Sequence, residues 1–124
     1  MAKRFRDLRK GDKLYVCPTE YDIRDNHDLE IESFTIDHTE YWYPDKSVFA
    51  MYIKSDKTGM ESATSVDTKD EDLTHHWYTY TSLSECKEEY RKCCKQILTE
   101  LRSNVADAQS EVNRVEQIMN RYGY

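Results

Sequence analysis

From Cys94 to Tyr122 the apolar residues recur in alternating steps of four and three: Cys94, Leu98, Leu101, Val105, Ala108, Val112, Val115, Met119 and Tyr122. That spacing is the a/d pattern of a left-handed helical seam. It predicts a C-terminal helix with coiled-coil character over residues 83–124. A helix from Leu83 to Tyr122 would be about 60 Å long at about 1.5 Å per residue, and something must cover its stripe. Ser103-Asn104 is the weak point, where the chain could turn back into a hairpin. The heptad runs through it without a stutter, so one continuous helix is the expectation. A few heptads are marginally stable alone, which implies a homo-oligomer or another assembly protein as partner. Val105, Ala108 and Val112 suit several helix numbers and leave the oligomer order open.

The helix has a clear start. Ser82 and Glu85 stand at the spacing of a capping box, and Gly123 suits the C-terminal end. Over the first turns Leu83, Cys86, Tyr90, Cys93 and Ile97 share one apolar face, fit to pack on whatever precedes them.

Residues 1–82 read as a small β-barrel-like domain behind a basic N-terminal arm. Strands are expected at Leu14–Cys17, Leu29–His38, Ser47–Lys54, Met60–Val66 and His76–Tyr80, separated by Pro18, Pro44-Asp45-Lys46 and Asp56-Lys57-Thr58-Gly59. Residues 19–28 are polar and read as a loop. In the second strand Leu29 and Ile31 share one face, whereas Phe34 and Ile36 share the other, so a bulge is expected near Glu32-Ser33. The third strand is apolar on both faces, as a covered central strand would be. The fold class predicted is α+β: a five-stranded antiparallel SH3-like or partly open barrel followed by a long helix.

Charge is unevenly spread. Residues 1–13 hold six Lys/Arg against two Asp, residues 14–82 hold five against fifteen Asp/Glu, and residues 83–124 hold seven of each. The middle of the chain therefore carries a net of -10, which repels phosphate and argues against specific nucleic-acid binding. Only Lys3, Arg4, Arg6, Arg9 and Lys10 could touch a nucleic acid, weakly; otherwise they solubilise the N-terminal end. No signal peptide or membrane span is expected, because no apolar run is long enough. Cys17, Cys86, Cys93 and Cys94 make a poor disulfide framework, which fits a reducing, cytoplasmic location.

Chemistry-bearing patterns are sparse. His75, His76, Cys93 and Cys94 lack zinc-site spacing, and the acidic loop around Asp22, Asp25 and Asp28 lacks the calcium-loop pattern, so no metal or cofactor is expected. There is no phosphate loop, nucleophile elbow or zinc-hydrolase motif, and an enzyme is not expected. Tyr41, Trp42, Tyr43, Trp77, Tyr78 and Tyr80 are more informative. Strand alternation can bury only about half of each trio, so aromatic edges should lie near the surface, where Tyr and Trp favour binding hot spots. A core role under the helix is the competing reading.

The Gly11-Asp12-x-x-Tyr15 opening, the curled small sheet and the Ser82-x-x-Glu85 helix start together resemble small uncharacterised proteins of bacteriophages and gut bacteria, over residues 5 to about 98. The resemblance implies a short barrel ending in a helix and an assembly role, such as a head-associated phage component, with no catalytic residue to carry over. The expected function is a non-enzymatic structural or adaptor protein. It would act through Leu98, Leu101, Val105, Ala108, Val112, Val115, Met119 and Tyr122 and through Tyr41, Trp42, Tyr43, Trp77 and Tyr78. The alternative is an acidic decoy that occupies the basic face of a host nucleic-acid-binding protein.

Overall fold

A computed structural model describes residues 2–27, 29–103 and 109–123. It divides into two compact units, one formed by Met1–Val16 with Glu32–Leu83 and the other by Cys17–Ile31 with Ser84–Tyr124.

The first unit is an antiparallel sheet curled into a half-barrel. Its strands are β1 (Lys13–Val16), β2 (Glu32–Trp42), β3 (Val48–Ser55), β4 (Glu61–Asp67), β5 (His75–His76) and β6 (Thr79–Tyr80), in the order β4-β3-β2-β1-β6-β5. Alternation on β3 sends Phe49, Met51 and Ile53 to one face, where they meet Leu14, Ile36 and Val66. Phe5 and Leu8 complete this core; Phe5 opens the 3-10 turn Phe5–Asp7 and Leu8 follows it, and both are buried. Burying two such side chains is worth about 1.5–3 kcal/mol each, so the basic head is pinned rather than a free arm. Its backbone is tied down too: Phe5 N–H donates to Leu73 O at 3.0 Å and Arg6 N–H to Glu71 O at 2.9 Å.

Three sequence expectations change in this unit. The register break in β2 falls between Ile36 and His38, not at Glu32-Ser33, because Leu29 and Ile31 lie outside the strand. With those two residues gone, the phase conflict that called for the earlier bulge disappears. The fifth expected strand is a tight hairpin, β5 turning into β6 with Trp77 and Tyr78 as its two central residues. Both have φ of +44°, the left-handed region that a two-residue turn of this kind demands. Finally, among the described residues the sheet has six strands instead of five, within the expected α+β class of a curled antiparallel sheet followed by C-terminal helices.

The second unit is helical: α1 (Glu20–Asp25), α2 (Leu83–Ser103) and α3 (Gln109–Tyr122). The polar stretch expected to be a loop contains α1. Thr19 and Asp22 form its capping box, with Asp22 N–H donating to Thr19 Oγ1 at 3.1 Å and Thr19 N–H to the Asp22 carboxylate at 2.9 Å. Asn26, with φ of +58°, closes its C-terminus. A helix with Ile23 as its sole buried residue has too little apolar periodicity to be legible.

The continuous helix is also corrected. Arg102 Nη2 lies 2.8 Å from Glu116 Oε1, whereas fourteen residues of one helix would separate them by about 21 Å. The chain doubles back, so α2 and α3 are distinct. Arg114 draws α3 to α1, donating to Ile23 O at 2.7 Å and Arg24 O at 2.8 Å. Arg24 in turn pairs with Glu20 and with Glu100 of α2. Tyr90, fully buried on α2, donates its hydroxyl to Leu29 O at 2.5 Å.

Candidate interaction surface

The heptad residues go inward. Leu98, Val112 and Val115 are buried, as is Ile118, which the heptad skips. Leu101, Met119 and Tyr122 are half-buried. Val105 and Ala108 lie outside the described residues, as does Asn104 of the expected weak point. The stripe expected to need a partner is thus covered in large part by the chain's own folding. An amphipathic face reports that burial occurs, but not which molecule supplies it.

The cysteines join the same interior. All four are free thiols, and Cys17, Cys86 and Cys94 are buried. A hydrogen bond with Cys86, together with burial, pushes the Cys17 thiol well above its ordinary range. Burial pushes Cys94 up to about 12. Thiolate is the reactive form, and burial disfavours it at Cys17 and Cys94. Among the described residues no group of His, Cys, Asp or Glu is arranged to hold a metal ion.

The aromatic residues go outward. Trp77 is 77% exposed at the tip of the β5–β6 hairpin, with Tyr78 and Leu73 also exposed. The base of the hairpin is firm. His75 stacks on buried Tyr80 at 5.4 Å, Thr81 N–H donates to Thr74 O at 3.0 Å, and β6 pairs with β1 through Tyr80 and Tyr15. Tyr41 and Tyr43 are exposed near the β2–β3 connection, Tyr43 in the left-handed region at φ +69°. Tyr41 packs against Phe49 at 5.2 Å and donates its hydroxyl to Glu71 at 2.8 Å, which raises its own pKa.

On the opposite face of β2 and β3, Trp42, one of the expected interaction residues, joins His38, Glu40 and Tyr52 in a cluster. His38 faces Tyr52 across the strands, Glu40 faces Ala50 and Trp42 faces Val48. His38 stacks on Tyr52 at 4.3 Å with an interplanar angle of 13°, and Trp42 meets Tyr52 edge-on at 6.3 Å. Glu40 Oε1 accepts from Tyr52 Oη at 2.6 Å and from Trp42 Nε1 at 2.9 Å. These two donors hold the Glu40 carboxyl below its ordinary pKa. The period-two spacing of His38, Glu40 and Trp42 was a usable signal; Tyr52 needed the strand register.

Glu40 shares with Asp22 and Glu71 a fixed carboxylate held by neutral donors, whereas most other positioned carboxylates have a cation. Asp7, Asp12, Asp56, Asp72, Glu20, Glu100, Glu111 and Glu116 each pair with a Lys or Arg of the chain. Compared with protein-family models, with curated proteins and with solved structures, the chain matches none. No helix among the described residues is long and apolar enough to cross a membrane.

Proposed function

We propose that this is a non-enzymatic structural or adaptor protein that engages a partner protein through the exposed aromatic residues of its sheet unit. The observation that carries the reading is Trp77. A bulky ring stands in solvent on a left-handed tip position, where Asn or Gly would be relaxed and where a side chain like Trp costs about 1–2 kcal/mol. Strain retained at an exposed aromatic residue fits a preorganised binding anchor. The helix stripe has a smaller part in this reading, because Leu98, Val112 and Val115 are already buried. The resemblance to small phage-encoded barrel proteins points to a partner within an assembling particle, and a cytoplasmic setting follows from that.

Affinity capture tests the idea. Wild-type protein and a Met119→Ala variant should retain the same defined partner, and Trp77→Ala should release it. Undiminished capture by Trp77→Ala would overturn the reading, as would a stable self-oligomer that the stripe variant dissolves. The acidic decoy is the second reading, favoured by five Lys/Arg against fifteen Asp/Glu in residues 14–82. It predicts a basic nucleic-acid enzyme as the captured species, lost steeply as salt rises.

A further inference from the structure

We infer that the Glu40–Trp42–Tyr52 cluster on the sheet is a receptor for an arginine side chain presented by a partner protein. This deepens the adaptor reading and rests on it only for the source of the arginine. Three observations combine.

The first is the missing cation. Glu40 has no Lys or Arg partner among the described residues, although the chain supplies one to most of its other positioned carboxylates. The one basic side chain that acts on its charge is His38. The second is orientation. Both neutral donors, Tyr52 and Trp42, converge on Oε1; the carboxylate is fixed in direction, and Oε2 accepts from neither of them. The third is the aromatic setting. An indole and a phenol flank the carboxylate, with the His38 ring stacked on the phenol.

A fixed anion beside aromatic surface is what a guanidinium recognises. It donates to the carboxylate while its plane rests against a ring, and it sheds water more readily than an ammonium. Asp67 lies in the same row, opposite Val48 on β4, with Lys69 3.9 Å from its carboxylate, and Asp37 pairs with the His38 ring at 2.6 Å. Preorganisation by the two donors lowers the ordering cost on binding.

The test uses the full chain and a capped Gly-Arg-Gly peptide, with Gly-citrulline-Gly as the neutral isostere. The chain has two tryptophans, so the two indole N–H resonances in a nitrogen-15 spectrum separate the site from a control. The Trp42 resonance should shift saturably with the arginine peptide and stay put with citrulline, while Trp77 stays unmoved in both titrations. Glu40→Gln retains an acceptor oxygen for Tyr52 and Trp42 but removes the charge, and should weaken binding at least tenfold. Equal shifts with citrulline, no saturable shift into the tens of millimolar, or undiminished binding by Glu40→Gln would each overturn the inference. Because no partner protein is present, such a failure is separate from failure of the Trp77 capture experiment.

Discussion

The guanidinium of Arg102 reaches the carboxylate of Glu116 at 2.8 Å, fourteen residues further along the chain. That contact places the end of α2 beside the middle of α3 and turns the heptad stripe toward the chain's own interior. Ile97, 1% exposed on α2, should therefore matter to the folding of a single molecule. Ile97→Ala should lower stability by about 2–5 kcal/mol in urea. The unfolding midpoint of both proteins should stay the same over a tenfold range of protein concentration. A midpoint that rises with concentration would show that association covers the stripe after all.

How far the sequence could be read depended on the range of the forces involved. Strand alternation, the Asp56–Gly59 turn and the helix limits at Leu83 and Tyr122 are local signals, and they match the structure to within a few residues. The pairing of α2 with α3 was not legible. Heptad spacing and a helical hairpin place the same residues on the same faces, and what separates them is pairing between Arg102 and Glu116 or between Arg114 and the carbonyls of α1. The hairpin at Trp77-Tyr78 was hidden for the opposite reason: its residues contradict turn chemistry, so the five residues His76–Tyr80 read as a strand. Such a local contradiction is where a binding site is most to be sought. For the surface cluster, three of its four members lay on one strand face, and only the β2–β3 register added Tyr52.

The turn itself yields a stability prediction with an unusual sign. Replacing Trp77 by Asn puts a residue tolerant of the left-handed region at φ +44°. The variant should be more stable by about 1 kcal/mol, seen as a higher thermal midpoint, and should lose partner capture. A neutral or destabilising effect would mean that contacts of the exposed ring offset the backbone strain, removing the argument that the turn keeps Trp77 for binding.

Asp56 ties three strands together and should set part of the acid limb of stability. Hydrogen bonds from the hydroxyls of Ser33 and Thr35, then the Lys13 ammonium at 2.9 Å, hold its carboxyl at about 2. An unfolded aspartate titrates near 4. The folded value is the lower one, so this stabilisation is fully present above about pH 4 and is lost as pH falls through about 2. Thermal midpoints measured from pH 6 to pH 2 should drop less steeply for Asp56→Asn than for the wild type. The side chain is 32% exposed, so added salt should shrink the difference. Parallel curves for the two proteins would show that Asp56 makes no such contribution.

Nucleic acid should bind only weakly, and the structure sharpens the reason. Of the five basic residues in the head, four are already engaged. Lys3 pairs with Asp12 at 3.0 Å, Arg4 with Asp7 at 2.8 Å and Arg6 with Asp72 at 2.7 Å, and Arg9 donates to Leu8 O at 3.0 Å. Each pair would have to open before a phosphate could take its place, and residues 14–82, at a net of -10, oppose the approach. Lys10 alone makes no hydrogen bond or ion pair within 4 Å among the described residues, although its charge acts on Asp37. With one or two phosphates neutralised, the slope of log affinity against log salt should be no steeper than about -2. Dissociation constants should be tens of micromolar or weaker at physiological salt, typical of nonspecific contact at about 10⁻⁴–10⁻⁶ M. Titration of labelled single- and double-stranded oligonucleotides at two salt concentrations measures both quantities. Submicromolar, sequence-dependent binding would overturn the expectation; the Trp77 hairpin would then have to be reconsidered as a platform for stacked bases, with its cations supplied by the pairs named above.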